Sequence, residues 1–129
     1  MTEAEISKAI SALRAAQLLL REGFTDEAVA SSYYAMFHMA RALLSWQQVS
    51  LPRTHSGLIA IFSEQYVKSG QLPKSLGRYF NELEDARLIA DYSADIIDPQ
   101  LASDCLQKAE QFLSAGLSLL GRSELFRPV

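Results

Sequence analysis

The chain of 129 residues is predicted to fold as an all-α protein, an up-and-down bundle of about five helices. Three observations lead there. Apolar residues recur at intervals of three and four along most of the length, the spacing of one helix face. Glycine, proline and capping residues cut that periodicity into five segments, joined by so few residues that neighbours are expected to run antiparallel. No stretch alternates convincingly as a half-buried strand would. A hydrophobic share of 49% beside 21% charged residues is that of a folded core. The length allows one domain, expected over residues 1–121 and followed by a tail over residues 122–129.

Each element has its own signals. Thr2 and Glu5 have the spacing of a capping box, so a first helix is expected over residues 3–22, with Ile6, Ala9, Ile10, Leu13, Ala16 and Leu20 on one face and Gly23 as the stop. Thr25, followed by Asp26 and Glu27, opens a second helix because a hydroxyl and two carboxylates suit the positive end of the helix dipole. It runs to about Gln48, before Pro52. Thr54 caps a third helix through Leu58, Ile61, Phe62 and Tyr66 to Gly70. Pro73 permits a fourth start, and the apolar pattern continues to about Tyr92. Asp98-Pro99 repeats the cap-then-proline signal for a fifth helix, with Cys105 on its apolar stripe, ending before Gly121. The final GRSELFRPV has no period and either frays or docks through Leu125 and Phe126.

The second helix is the unusual one. Its stretch SSYYAMFHMARALL, Ser31 to Leu44, carries apolar or aromatic side chains on nearly every side. A helix apolar all round must be buried all round. Either it is the middle member of a monomeric bundle, or it meets a second subunit through Tyr33, Phe37, His38 and Arg41; a homodimer is the expectation. The net charge of -3 gives no broad phosphate-binding surface, and one cysteine supplies neither a disulfide nor a zinc-ligand set. The opening MTEAEISKAI places acids where a secretory leader would place bases, and no long uncharged apolar run follows. A cytoplasmic protein without membrane spans, metal or cofactor is expected.

Three strings in order, SSYYAMFHMARALL, Thr54-His55-Ser56-Gly57 and Arg87-Leu88-Ile89-Ala90-Asp91-Tyr92, resemble the HEPN domain family over about residues 3–120. The resemblance implies a short all-α bundle, usually dimeric, often paired with a small nucleotidyltransferase in a toxin–antitoxin or related system. It also implies, for many members, a metal-independent ribonuclease using an arginine, four to six intervening residues, then a histidine. This chain departs from that pattern: counted from Arg87, the three slots hold Tyr92, Ser93 and Ala94. Tyrosine, with an unperturbed pKa of about 10, is a poor proton acceptor at neutral pH. An enzyme is therefore not the first expectation.

The candidate site residues follow. Arg87 either pairs with Asp91, four residues on, or binds the phosphate of a nucleotide or RNA while Asp91 and Tyr92 hold it. Tyr92 lies about 140° around an ideal helix from Arg87 and joins it only if the helix ends or bends there. His55, at a helix start, is the better-placed histidine for a polar site and stands with Tyr34 among the nucleotide-binding candidates. His38 shares a face with Tyr34 and Arg41 and is expected to be a hydrogen-bonded, buried or interfacial histidine. No catalytic set is complete; Arg87, His55 and Tyr92 are its possible members. Glu82, Glu84 and Asp85 are read as solvated charge, and Ser31 and Ser32 as small packing residues. The leading expectation is a binding and assembly protein, and the alternative a weak or unusual ribonuclease toxin.

Overall fold

The computed structural model describes residues 1–126. Five α-helices make up most of it: α1 (Thr2–Arg21), α2 (Thr25–Trp46), α3 (His55–Phe62), α4 (Lys74–Tyr92) and α5 (Pro99–Leu119). No strand occurs among the described residues. The bundle predicted from periodicity is the one observed, with one irregularity. The third helix is not continuous to Gly70: after Phe62 it widens into a π-helical turn, Ser63–Val67. Gly77 of α4 faces that turn, where an added Cβ would meet Val67 Cγ2 at 3.4 Å.

Local chemistry explains most boundaries. Gly23, at φ 86°, takes the left-handed turn that reverses the chain between α1 and α2. Thr54 Oγ1 accepts from the Gly57 amide at 3.0 Å and caps α3. A Cβ on Gly57 would lie 2.7 Å from that Oγ1 and 3.0 Å from Pro52 Cβ, so the glycine lets the cap close. Asp98 accepts from the Gln100 amide at 2.7 Å and Pro99 opens α5. The α4–α5 connection is fastened to α2 through the Ile97 amide, which donates to Asp26 Oδ1 at 2.9 Å. The capping box at Thr2 does not form. Thr2 Oγ1 donates to Ser45 Oγ instead, and Glu5 is drawn away to α2, so α1 starts without a side-chain cap.

The core is built around α2, which packs against α1, α3, α4 and α5. That placement answers the question its sequence raised. Val29, Tyr33, Met36, Met39, Ala40, Leu43 and Leu44 are wholly buried by the chain's own helices, so the apolar girth of α2 does not require a second subunit. Gly116 of α5 marks the closest approach: a Cβ there would stand 2.8 Å from Met39 Cγ and Sδ. Phe62, Tyr66, Phe80 and Phe112 form an aromatic centre between α3, its π turn, α4 and α5, with ring centroids 5.1–5.8 Å apart. Tyr66 donates its hydroxyl to the Leu43 carbonyl, and burial pushes its pKa up to about 12. Cys105 is buried on the α5 stripe, as its position implied. Of the expected tail, Leu125 and Phe126 rest partly buried against the core and Arg122 pairs with Glu3; residues 127–129 lie outside the described residues.

One imperfection in this core is testable. Ser31 Oγ donates to the Ala12 carbonyl at 2.7 Å, but Ser32, also fully buried, has no hydrogen-bond partner for Oγ among the described residues. A buried hydroxyl left unpaired costs about 1–3 kcal/mol. Ser32→Ala is therefore expected to raise the unfolding free energy by about 1 kcal/mol in urea titrations.

Candidate functional site

Three helices converge on one polar cluster. Tyr33 and Tyr34 come from α2, His55 from the first residue of α3, and Glu84, Arg87 and Asp91 from one face of α4. Glu84 lies three residues before Arg87 and Asp91 four after, so both carboxylates reach the same guanidinium. Arg87 Nη2 donates to Glu84 Oε1 at 2.6 Å and Nη1 to Asp91 Oδ2 at 3.0 Å. Its Cζ stands 5.0 Å from the Tyr33 ring centroid and 5.8 Å from that of Tyr34, two cation–π contacts. Arg87 is only 8% exposed and its Nε has no partner. Asp91, at 38%, is the more open of the two carboxylates.

His55 closes the cluster. Its Nδ1 lies 2.6 Å from the Tyr33 hydroxyl and 3.7 Å from Glu84 Oε2, and its ring packs 4.7 Å from Phe37. Tyr33 has one proton for two acceptors, His55 Nδ1 and Glu84. Glu84 Oε2 is buried and otherwise unpaired. The arrangement that satisfies all three has His55 Nδ1–H donating to the Tyr33 oxygen and the Tyr33 hydroxyl donating to Glu84. Burial, reinforced by Glu84, drives the Tyr33 phenol well above its ordinary range, so it relays hydrogen bonds as a neutral group. For Glu84, burial alone would raise the carboxyl; hydrogen bonds from Tyr33 and Arg87, with the Arg87 charge, outweigh it and hold it below the usual value.

The structure sorts the candidates accordingly. Arg87, Asp91, His55 and Tyr34 share this cluster. Tyr92 does not: it is the last residue of α4, still in helical register with Arg87, and it is 80% exposed. Tyr33, expected at a subunit interface, is wholly buried within the chain and belongs to the cluster. Glu84, read as solvated charge, is the residue that joins His55 to Arg87. Its signal was available, since Arg87 has acids at both i−3 and i+4 and only the second was counted.

His38 and Arg41 belong to a separate cluster across α1. His38 Nδ1 lies 2.8 Å from Glu5 Oε2, and Arg41 Nε donates to Glu5 Oε1 at 3.1 Å. Burial would raise Glu5; the His38 and Arg41 contacts reverse that and lower it. Since Glu5 and Glu84 are both depressed in the folded chain, their stabilisation is present above the unfolded carboxyl pKa of 4.5 and is lost as pH falls through their folded values. Urea unfolding midpoints are therefore expected to drop as the pH is taken below 4.5, and the Glu5→Gln, Glu84→Gln double variant to show a shallower acid slope.

The model of the HEPN domain family matches residues 2–119. The chain belongs to the HEPN domain family. Similar curated HEPN-family relatives include a Methanocaldococcus jannaschii protein named "Putative toxin MJ0142", 36% identical over 110 residues, 84% of this chain and 74% of that protein. A UPF0332 protein of Thermotoga maritima is 36% identical over 101 residues, 78% of this chain and 76% of its own length. A UPF0332 protein of Gloeobacter violaceus is 34% identical over 110 residues, 85% and 82% of the two chains. Within this HEPN chain no described helix is long and apolar enough to cross a membrane, and no described group of three His, Cys, Asp or Glu side chains is placed to hold a metal ion.

Proposed function

We propose that this HEPN protein is a binding and assembly component of a toxin–antitoxin-like pair, a homodimer that engages a nucleotidyltransferase-type partner in the cytoplasm. The observation that carries this reading is the state of Arg87. It is buried, with both terminal nitrogens on carboxylates, and no histidine occupies the slots that follow it. In the single chain its ion pairs lie within α4, and its contacts with the Tyr33 and Tyr34 rings reach α2. A nucleotide or RNA phosphate reaches it by displacing Asp91, the more exposed carboxylate. Asp91→Asn is accordingly expected to strengthen phosphate binding at Arg87; unchanged affinity removes that part of the reading.

The second copy finds its surface on α4. Leu88, Ile89 and Tyr92 are 42%, 53% and 80% exposed along one face, and Ile96 beyond them is 83% exposed. An apolar helix face of this kind pairs with itself around a two-fold axis. Ile89→Glu is expected to convert a dimer to a folded monomer in sedimentation velocity. Wild-type protein that sediments as a monomer at high concentration would overturn the dimer.

One observation favours the ribonuclease alternative. His55 is 37% exposed, its Nδ1 is held between Tyr33 and Glu84, and its Nε2 has no hydrogen-bond partner among the described residues. Metal-free cleavage of RNA that His55→Ala abolishes, with the thermal midpoint unchanged, would establish it over the assembly-only reading.

A further inference from the structure

We propose that the groove between the carboxyl end of α2 and the segment 49–53 is a separate ligand site, for a phosphomonoester of mononucleotide size whose phosphate lies between Arg41 and Arg53. The groove holds about 620 Å³, within the range of small-molecule sites, and its lining includes Phe37, Arg41, Gln48, Leu51, Pro52 and Arg53. No carboxylate lines it.

Charge decides the ligand. Several other cations are neutralised by carboxylates: Arg87 by Glu84 and Asp91, Lys108 by Glu82, Arg122 by Glu3 and Glu124. Arg53 is exposed and pairs with no described carboxylate. Arg41 gives only Nε to Glu5, which leaves its two terminal nitrogens for a ligand. One exposed guanidinium beside a second that keeps two terminal donors suits the acceptor oxygens of a phosphomonoester. The hollow beside the Arg87 cluster has the opposite character. It is lined by Glu84 and Asp85 with no cation among its residues.

Backbone features point to the same place. Met1 lines the groove, and α1 begins there without a side-chain cap. The opposing end of α2 is masked: the Gln48 and Val49 amides donate to the Ser45 and Leu44 carbonyls at 2.9 Å each. Gln48 makes that turn at φ 60°, a position that favours glycine, and it is the one described non-glycine residue with positive φ. Its side chain lines the groove. Phe37, Leu51 and Pro52 give an apolar wall for a ring. Two cations suffice for one phosphate and form no track for a strand, which selects a mononucleotide-sized ligand over a polymer.

Calorimetry on the full chain tests this with AMP, phenyl phosphate and adenosine. AMP and phenyl phosphate are expected to bind, adenosine to bind at least about tenfold more weakly than AMP, and Arg53→Ala to weaken AMP about tenfold or more without moving the thermal midpoint. AMP-induced amide shifts should centre on residues 48–53. Binding of AMP but not phenyl phosphate would identify the nucleoside as part of what is recognised. Equal binding of adenosine and AMP, or an Arg53→Ala variant with wild-type affinity, overturns the proposal. So do amide shifts centred on His55 and Arg87. The proposal does not rest on phosphate binding at Arg87, which Asp91→Asn tests separately and which leaves this groove untouched.

Discussion

Arg87→Ala is expected to lower the unfolding free energy by about 3 kcal/mol, because removing one partner of a buried ion pair leaves the other charged and uncompensated. The partner left behind is Glu84, whose Oε1 loses the Arg87 Nη2 contact at 2.6 Å. Urea titration at neutral pH measures the loss. If it comes from the stranded carboxylate, then Glu84→Gln in the Arg87→Ala background recovers a large part of it, and the double-mutant cycle shows strong non-additivity. A loss below about 0.5 kcal/mol would mean that Arg87 is a solvated surface arginine. The result bears on every functional assay of this protein. Lost RNA cleavage or lost phosphate binding in Arg87→Ala reports unfolding as readily as chemistry, so Asp91→Asn and His55→Ala are the informative variants.

Phe80→Ala is expected to be at least as damaging, at about 3–5 kcal/mol. The Phe80 ring is fully buried, with centroids 5.9 Å from Tyr33, 5.6 Å from Phe62 and 5.4 Å from Phe112. Its removal opens a cavity between α2, α3, α4 and α5 at once, so partial collapse from one side cannot fill it. Phe80→Leu, which retains most of the volume, should cost less than half as much. Comparable losses for the two variants would show that ring volume is not what holds the centre together.

The fold was legible where signals were local. Thr54 and Asp98 cap the helices they precede, and Gly23 ends α1, because a cap is a contract among residues three or four apart. The Thr2–Glu5 box failed for the converse reason. Glu5 had better partners in His38 and Arg41, which the sequence places more than thirty residues away. The breadth of α2 was read as burial against both its own bundle and a second subunit; the chain's own helices cover its central residues, and sequence shows how much surface must be covered but not which helix covers it. At the candidate site, the Arg87–Asp91 pair follows from spacing alone. The His55–Tyr33–Glu84 connection joins three helices and has no local signature. Tyr92 was drawn toward Arg87 by its place in a motif, whereas the helical angle already argued against it.

The Tyr33 hydroxyl has a kinetic consequence. At eight residues, α3 is too short to persist in water by its own hydrogen bonds. Its first residue, His55, is gripped from α2 by Tyr33, and Phe62 at its last residue is sealed among the rings of α4 and α5. With both ends clamped, fraying from either tip is blocked. Amide deuterium uptake across Leu58–Phe62 should then proceed only when the whole molecule opens, as slowly as in α2 itself, and in Tyr33→Phe the same amides should begin to exchange through a cheaper, local opening.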